Sequence, residues 1–158
     1  MIRRTRDQHL FDPGPKRILA LDGGGVRGIL TLQYLKRVEE LLRKRVGNDP
    51  NFRLSQYFDL IGGTSTGSII ATGLALGWTV EKLETLYNQL SEQVFKRSIW
   101  RRGILQAKFP RAPLMKALTE QFGDRTLGSE DLQTGLMIMT KRLDSGSPWP
   151  LMNNPKGR

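Results

Sequence analysis

The sequence predicts an α/β domain built on a mainly parallel sheet. Three observations lead there. Short apolar runs alternate with longer segments of helical apolar spacing, in the order strand, helix, strand, helices, strand. Two of the strand-to-helix junctions are rich in glycine. The 158 residues suffice for one core and contain no internal repeat, low-complexity tract or domain boundary.

Residues 1–15 are polar, hold Pro13 and Pro15, and read as a lead-in arm; residues 16–158 read as the domain proper. Ile18, Leu19, Ala20 and Leu21 form a short apolar run that ends at Asp22 and three glycines, the pattern of a buried strand feeding a turn. Over residues 29–45, Ile29, Leu32, Leu35, Val38 and Leu42 recur at helical spacing, with charged residues largely on the other side. Gly47, Asn48 and Pro50 stop that helix. Residues 57–61 read as a second strand, with Gly62 and Gly63 opening a turn. Residues 68–76 are almost all apolar or small, so the helix they form is buried. Thr79 can cap a further helix over residues 80–94. Residues 96–111 read as a basic loop, residues 114–122 as a short helix between Pro113 and Gly123, and residues 136–140 as a third strand. Residues 145–158 are rich in Pro, Gly and Asn and lack periodicity.

Composition narrows the chemistry. With no cysteine there is no disulfide, thiolate metal site or cysteine nucleophile, and a cytoplasmic location fits. No apolar run is long enough to span a bilayer. The basic N-terminus has no apolar stretch behind it, so no secretory signal is expected. The net charge of +10 favours an anionic partner. Much of it is clustered, at Arg3/Arg4/Arg6, Arg43/Lys44/Arg45, Arg97/Arg101/Arg102 and Lys108/Arg111. Residues 95–102 mix bases with Phe95 and Trp100, a combination suited to peripheral contact with an anionic membrane. No nucleic-acid module accompanies it, and no nucleic acid is expected as partner.

Gly63-Thr64-Ser65-Thr66-Gly67 matches G-x-S-x-G, between an apolar strand and a buried helix. In that context Ser65 projects at a helix N-terminus as a candidate nucleophile, Gly63 and Gly67 let strand and helix approach, and the Thr66 amide can bind an oxyanion. The plainer alternative is a turn in which Ser65 caps the helix. Residues 22–28, Asp-Gly-Gly-Gly-Val-Arg-Gly, lie at the other glycine-rich junction. Successive N–H groups there can bind an anion. Gly23, Gly25 and Gly28 satisfy the dinucleotide pattern G-x-G-x-x-G, but the acidic residue expected some twenty positions on is replaced by the basic helix end at 42–45. The other target is the oxyanion of an acyl intermediate, with Gly23, Gly24, Gly25 and Gly28 shaping the loop and Arg27 steadying it, meeting a substrate phosphate or pairing with a carboxylate. The chain's one histidine, His9, falls in the polar arm and reads as solvated, so a carboxylate acting without imidazole is the expected base.

Together these features resemble the patatin-like phospholipase family. The resemblance rests on residues 18–28, on residues 58–67, on their order and separation, and on residues 123–127 and the tail around Trp149 and residues 153–155. It implies a three-layer α/β/α sandwich. It also implies hydrolysis of lipid or phospholipid acyl esters by a Ser–Asp dyad, with no metal or organic cofactor, Ser65 as nucleophile and Gly24 and Gly25 in the oxyanion hole. The family's aspartate sits in a later Asp-Gly-Gly or Asp-Gly-Ala turn, and no such turn follows Ser65. Asp124, Asp131 and Asp144 lack the following glycines. The expectation is therefore a C-terminally incomplete domain, inactive by itself, with a sheet edge and part of the core exposed.

Overall fold

The computed structural model describes residues 3–90 and 111–157. The basic–aromatic stretch at 95–102, and most of the basic loop expected at 96–111, lie outside the described residues. The elements are α1 (Arg6–Phe11), β1 (Ile18–Leu21), α2 (Gly28–Arg45), β2 (Leu60–Thr64), α3 (Thr66–Ala75), α4 (Val80–Leu90), α5 (Arg111–Phe122), β3 (Gly135–Lys141) and β4 (Pro148–Met152). Strand order is β1-β2-β3-β4. The first three strands are parallel and β4 is antiparallel to β3. The mainly parallel α/β sheet expected from the sequence is the one found.

Both parallel crossovers step the same way across the sheet. The right-handed rule then puts α2, α3 and α4 on one face. Leu21, Ile61 and Leu136 point into that layer and are buried with Ile70 and Leu74 of α3, Leu83 and Leu86 of α4, and Leu32 and Leu35 of α2. Each such aliphatic side chain contributes about 1.5–3 kcal/mol of burial. On the opposite face, Ile18 and Ala20 are exposed, while Leu60, Met137 and Met139 are half-buried. In an α/β/α sandwich that is the face a second helical layer covers.

Four expectations need correction. Gly62 and Gly63 do not open a turn. They belong to β2, where Gly63 pairs with Leu21, and the turn begins after Thr64. The aperiodic tail holds a strand, β4, whose Pro148 and Pro150 lie on the sheet edge. Proline lacks the donor that would recruit a further strand, so the pattern that hid β4 from a propensity reading also suits it to an edge. Third, α5 begins at Arg111, so Pro113 sits within its first turn.

The fourth is His9. It is neither solvated nor in an irregular arm, for α1 carries it and it is fully buried. Its Nδ1 lies 2.9 Å from Asp59 Oδ1. Asp59 also accepts from Arg4 Nη1 at 2.7 Å and from the Arg17 amide at 2.8 Å. Since the carboxylate accepts, Nδ1 carries the proton, and Nε2 is left without a partner among the described residues. This cluster pins α1 to the N-terminal ends of β1 and β2.

The cluster makes stability pH-dependent. Burial pushes His9 below its ordinary 6.5, against the Asp59 hydrogen bond, with Arg4 and Lys16 adding to the lowering. Burial pushes Asp59 up, but the Arg17 amide, His9 and Arg4 outweigh it and hold the carboxyl below 3.8. A histidine kept neutral when folded takes up its proton on unfolding. The stability it supports is therefore present above pH 6.5 and lost as pH falls below that value, with a further loss from Asp59 below 3.8. Glu39, raised by burial, acts in the opposite sense. The difference between wild type and His9→Gln therefore isolates the cluster. The urea midpoint of wild type should drop more than that of His9→Gln between pH 7.5 and 5.5 (about those values, bracketing the free imidazole). Parallel profiles would exclude a buried neutral His9.

Candidate active site

Parallel pairing brings the two glycine-rich junctions to one edge. Leu21 is level with Gly63, so the chain leaves β1 and β2 side by side, into residues 22–27 and into Ser65. Ser65 occupies the N-cap position of α3 with φ 50° and ψ −123°. A non-glycine residue there is strained by about 1–3 kcal/mol, and such strain persists where surrounding structure imposes it. The side chain is exposed, and its hydroxyl caps nothing. The plain capping role for Ser65 is therefore not the one seen. Its carbonyl accepts from the Ser68 amide at 3.0 Å and from Ser68 Oγ at 2.5 Å, which ties the elbow to the first turn of α3.

The elbow is held at its base by close backbone approach. A Cβ on Gly67 would overlap the Leu21 carbonyl and come within 2.7 Å of Asp22 O, so α3 rests directly on the end of β1. Across the crevice, Gly23 lies so near the serine that a Cβ on it would stand 2.7 Å from Ser65 Cβ. The Gly23 amide donates to Thr64 Oγ1 at 2.8 Å and the Gly24 amide to Thr66 Oγ1 at 3.1 Å. Both residues flanking Ser65 thus bind the glycine loop through their hydroxyls. Among the described residues the amides of Gly25 and Thr66 have no partner. They are open to an acceptor, and the Thr66 amide sits at the positive end of α3. Gly25 has φ 56° and starts a 3₁₀ turn to Arg27, whose amide donates to Gly24 O at 3.2 Å. The Arg27 side chain is exposed and makes no ion pair among the described residues.

Among the described residues the Ser65 hydroxyl has no hydrogen bond to a base. His9 and Asp59 form a hydrogen-bonded pair, but at the opposite end of β2, about 16 Å away along five strand residues. Asp131 is paired with Arg125. Asp144 is held at 2.5 Å by Arg142, and that guanidinium lowers its pKa and makes it a weaker base. Two cavities lie away from Ser65: one of about 530 Å³ lined by Arg3, Arg6, Glu130 and Gln133 among others, and one of about 310 Å³ between α2 and α4. Ser65 lines neither of them.

Sequence reasoning missed two contributors. Thr64 enters the sequence reading only as a variable position of G-x-S-x-G, and Tyr87 reads as one apolar position in the α4 spacing. Yet the Tyr87 hydroxyl donates to the Gly25 carbonyl. The signal for Thr64 and Thr66 was present as hydroxyls flanking Ser65, but which amides they would meet depends on strand register.

Comparison with known proteins agrees with this geometry. Residues 19–148 match the patatin-like phospholipase family model. The chain is 33% identical over 142 residues to a cGAMP-activated phospholipase of Vibrio cholerae, covering 84% of this chain and 39% of that protein. It is 36% identical over 110 residues to an intracellular phospholipase A2 of Caenorhabditis elegans, covering 70% of this chain and 9% of that protein. Human calcium-independent phospholipase A2-gamma is 40% identical over 84 residues, covering 52% of this chain and 10% of that protein. The chain thus spans about two-fifths of the length of the bacterial relative and a tenth or less of the two animal ones. With a family match across most of its length, the chain belongs to the patatin-like phospholipases.

Proposed function

We propose that this chain carries the nucleophile and oxyanion half of a lipid acyl hydrolase working through a Ser–Asp dyad. The observation that carries the reading is Ser65 itself. It is exposed, backbone-strained, free of any capping bond, and pressed against a loop with open amides. In the reaction, Ser65 Oγ attacks the ester carbonyl carbon and gives its proton to the base. The oxyanion is held by the N–H groups of Thr66 and Gly25, joined by Gly24 if the Thr66 hydroxyl yields. Collapse breaks the bond to the alcohol, which leaves with the proton; water then cleaves the acyl-serine to a fatty acid. The base in this reading is an aspartate in an Asp-Gly-Gly or Asp-Gly-Ala turn, a pattern that these residues do not contain after Ser65. No step needs a metal or organic cofactor. Gly23 and Gly24 spend their amides on Thr64 and Thr66, which supports an acyl site over a phosphate cradle.

The exposed side chain of Ser65 fits a substrate presented by a lipid surface. Residues 95–111 supply bases and aromatics for contact with anionic lipid. Co-sedimentation with anionic vesicles should therefore weaken as salt rises, and indifference to both lipid charge and salt would count against that contact. The names of the bacterial relatives suggest a cGAMP-type nucleotide as activator of the whole protein. The central test is a fluorophosphonate probe. In a longer chain that includes the expected aspartate turn, adduct mass should map to Ser65. A folded but unreactive serine there would refute the reading.

A further inference from the structure

We infer that Tyr87 is a positioning residue whose phenol hydroxyl locks the glycine loop to the serine elbow. The inference rests on the reading of Ser65 given above. Tyr87 lies on α4, remote in sequence from both loops, and its side chain is buried. The Gly25 carbonyl can only accept, so the tyrosine hydroxyl donates to it. The phenol oxygen is then left to accept, and the Thr66 side chain and the Gly28 backbone both hydrogen-bond to it. The Thr66 hydroxyl in turn accepts the Gly24 amide at 3.1 Å. The bonds therefore run from the Gly24 amide to Thr66, from Thr66 to Tyr87, and from Tyr87 back to the Gly25 carbonyl. They close on the loop where they began, and each hydroxyl donates once, so the direction is consistent throughout.

Gly28 shows how closely the loop is fitted to this ring. A Cβ there would overlap the tyrosine hydroxyl and ring carbons. Packing alone does not call for the hydroxyl, because phenylalanine would fill the same space. A buried hydroxyl is costly unless bonded, and here its bonds reach the loop and the residue after the nucleophile. Each peptide unit is planar and trans, so fixing the Gly24 and Gly25 carbonyls, on the Arg27 amide and on Tyr87, also fixes where the amides that follow them point. The loop's donors are thus aimed before substrate arrives, which is what oxyanion stabilisation requires. Burial raises the Tyr87 pKa, against the bonds from Thr66 and Gly28, and keeps the phenol protonated as a donor.

The test is Tyr87→Phe in the full-length protein, with two readouts. Amide exchange at Gly24 and Gly28 should quicken about 10-fold or more, while exchange at Ile61 in β2 stays unchanged. Fluorophosphonate labelling of Ser65 should show a limiting rate lower by about 10- to 100-fold at an unchanged half-saturating concentration. Thr66→Val approaches the same ring of bonds from its other side. It should give a similar loss, and the double variant should lose no more than either single one. A purely structural tyrosine would lower thermal stability and leave the labelling rate alone. Unaltered exchange at Gly24 and Gly28, unaltered labelling, or additive losses in the double variant would each overturn the inference. If wild type itself is not labelled while the exchange effect is present, the lock stands and the hydrolase reading falls.

Discussion

On the proposed reading, replacing Ser65 with alanine should lower ester turnover by about four to six orders of magnitude and leave the fold intact. The expectation follows from how the serine is held. Its side chain is exposed and its hydroxyl bonds to nothing among the described residues, so alanine removes no packing and orphans no partner. The φ of 50° is equally strained for alanine, so stability should match wild type within about 0.5 kcal/mol. Ser65→Gly goes further, because glycine tolerates that backbone region. It should be as inactive as alanine yet more stable by about 1 kcal/mol. Turnover of a short-chain ester together with urea denaturation, in a longer chain that includes the proposed aspartate turn, reads both effects. Substantial activity in Ser65→Ala would remove the nucleophile from the scheme. A Ser65→Gly variant no more stable than alanine would show that the elbow stores no strain.

Gly67→Ala has the largest expected effect on stability, about 3 kcal/mol or more. Its Cβ would overlap the Leu21 carbonyl and lie 2.7 Å from Asp22 O and 2.8 Å from Leu21 C. These are backbone atoms of a strand end, not the tip of a flexible side chain. Relief therefore requires α3 to move off the sheet, which pulls on Leu74 and Ile70 in the core and on Ser65 at the elbow. Gly128→Ala is the control. The nearest neighbour of its Cβ would be Thr126 Oγ1 at 3.6 Å, and its φ lies outside the left-handed region. Denaturation midpoints should separate the two variants sharply. Equal midpoints would mean that α3 and β1 are not in the contact described. Because the elbow rides on this contact, Gly67→Ala should also slow Ser65 labelling even where enough folded protein remains to measure.

The sequence by itself determined the alternation of strands and helices and where the two glycine-rich junctions fall. The apolar run before Asp22, the helical spacing from Ile29 to Leu42, and the apolar stretch after Ser65 require buried strands and helices wherever they fold, because solvent exclusion acts on local pattern. The glycines at 23–25 marked one turn and Gly67 the close approach of α3 to β1, since glycine stands where backbone comes close or φ is positive. Other features were decided in three dimensions. Strand register set Leu21 level with Gly63 and so put Ser65 beside Gly23. The same packing turned His9 from a solvated arm residue into a buried partner of Asp59 at the far end of the sheet. It assigned the Gly23 and Gly24 amides to threonine hydroxyls and brought Tyr87 to Gly25. A hydrogen bond between residues sixty positions apart leaves no periodic trace in a chain, because it depends on the relative placement of elements and not on the spacing within any one of them.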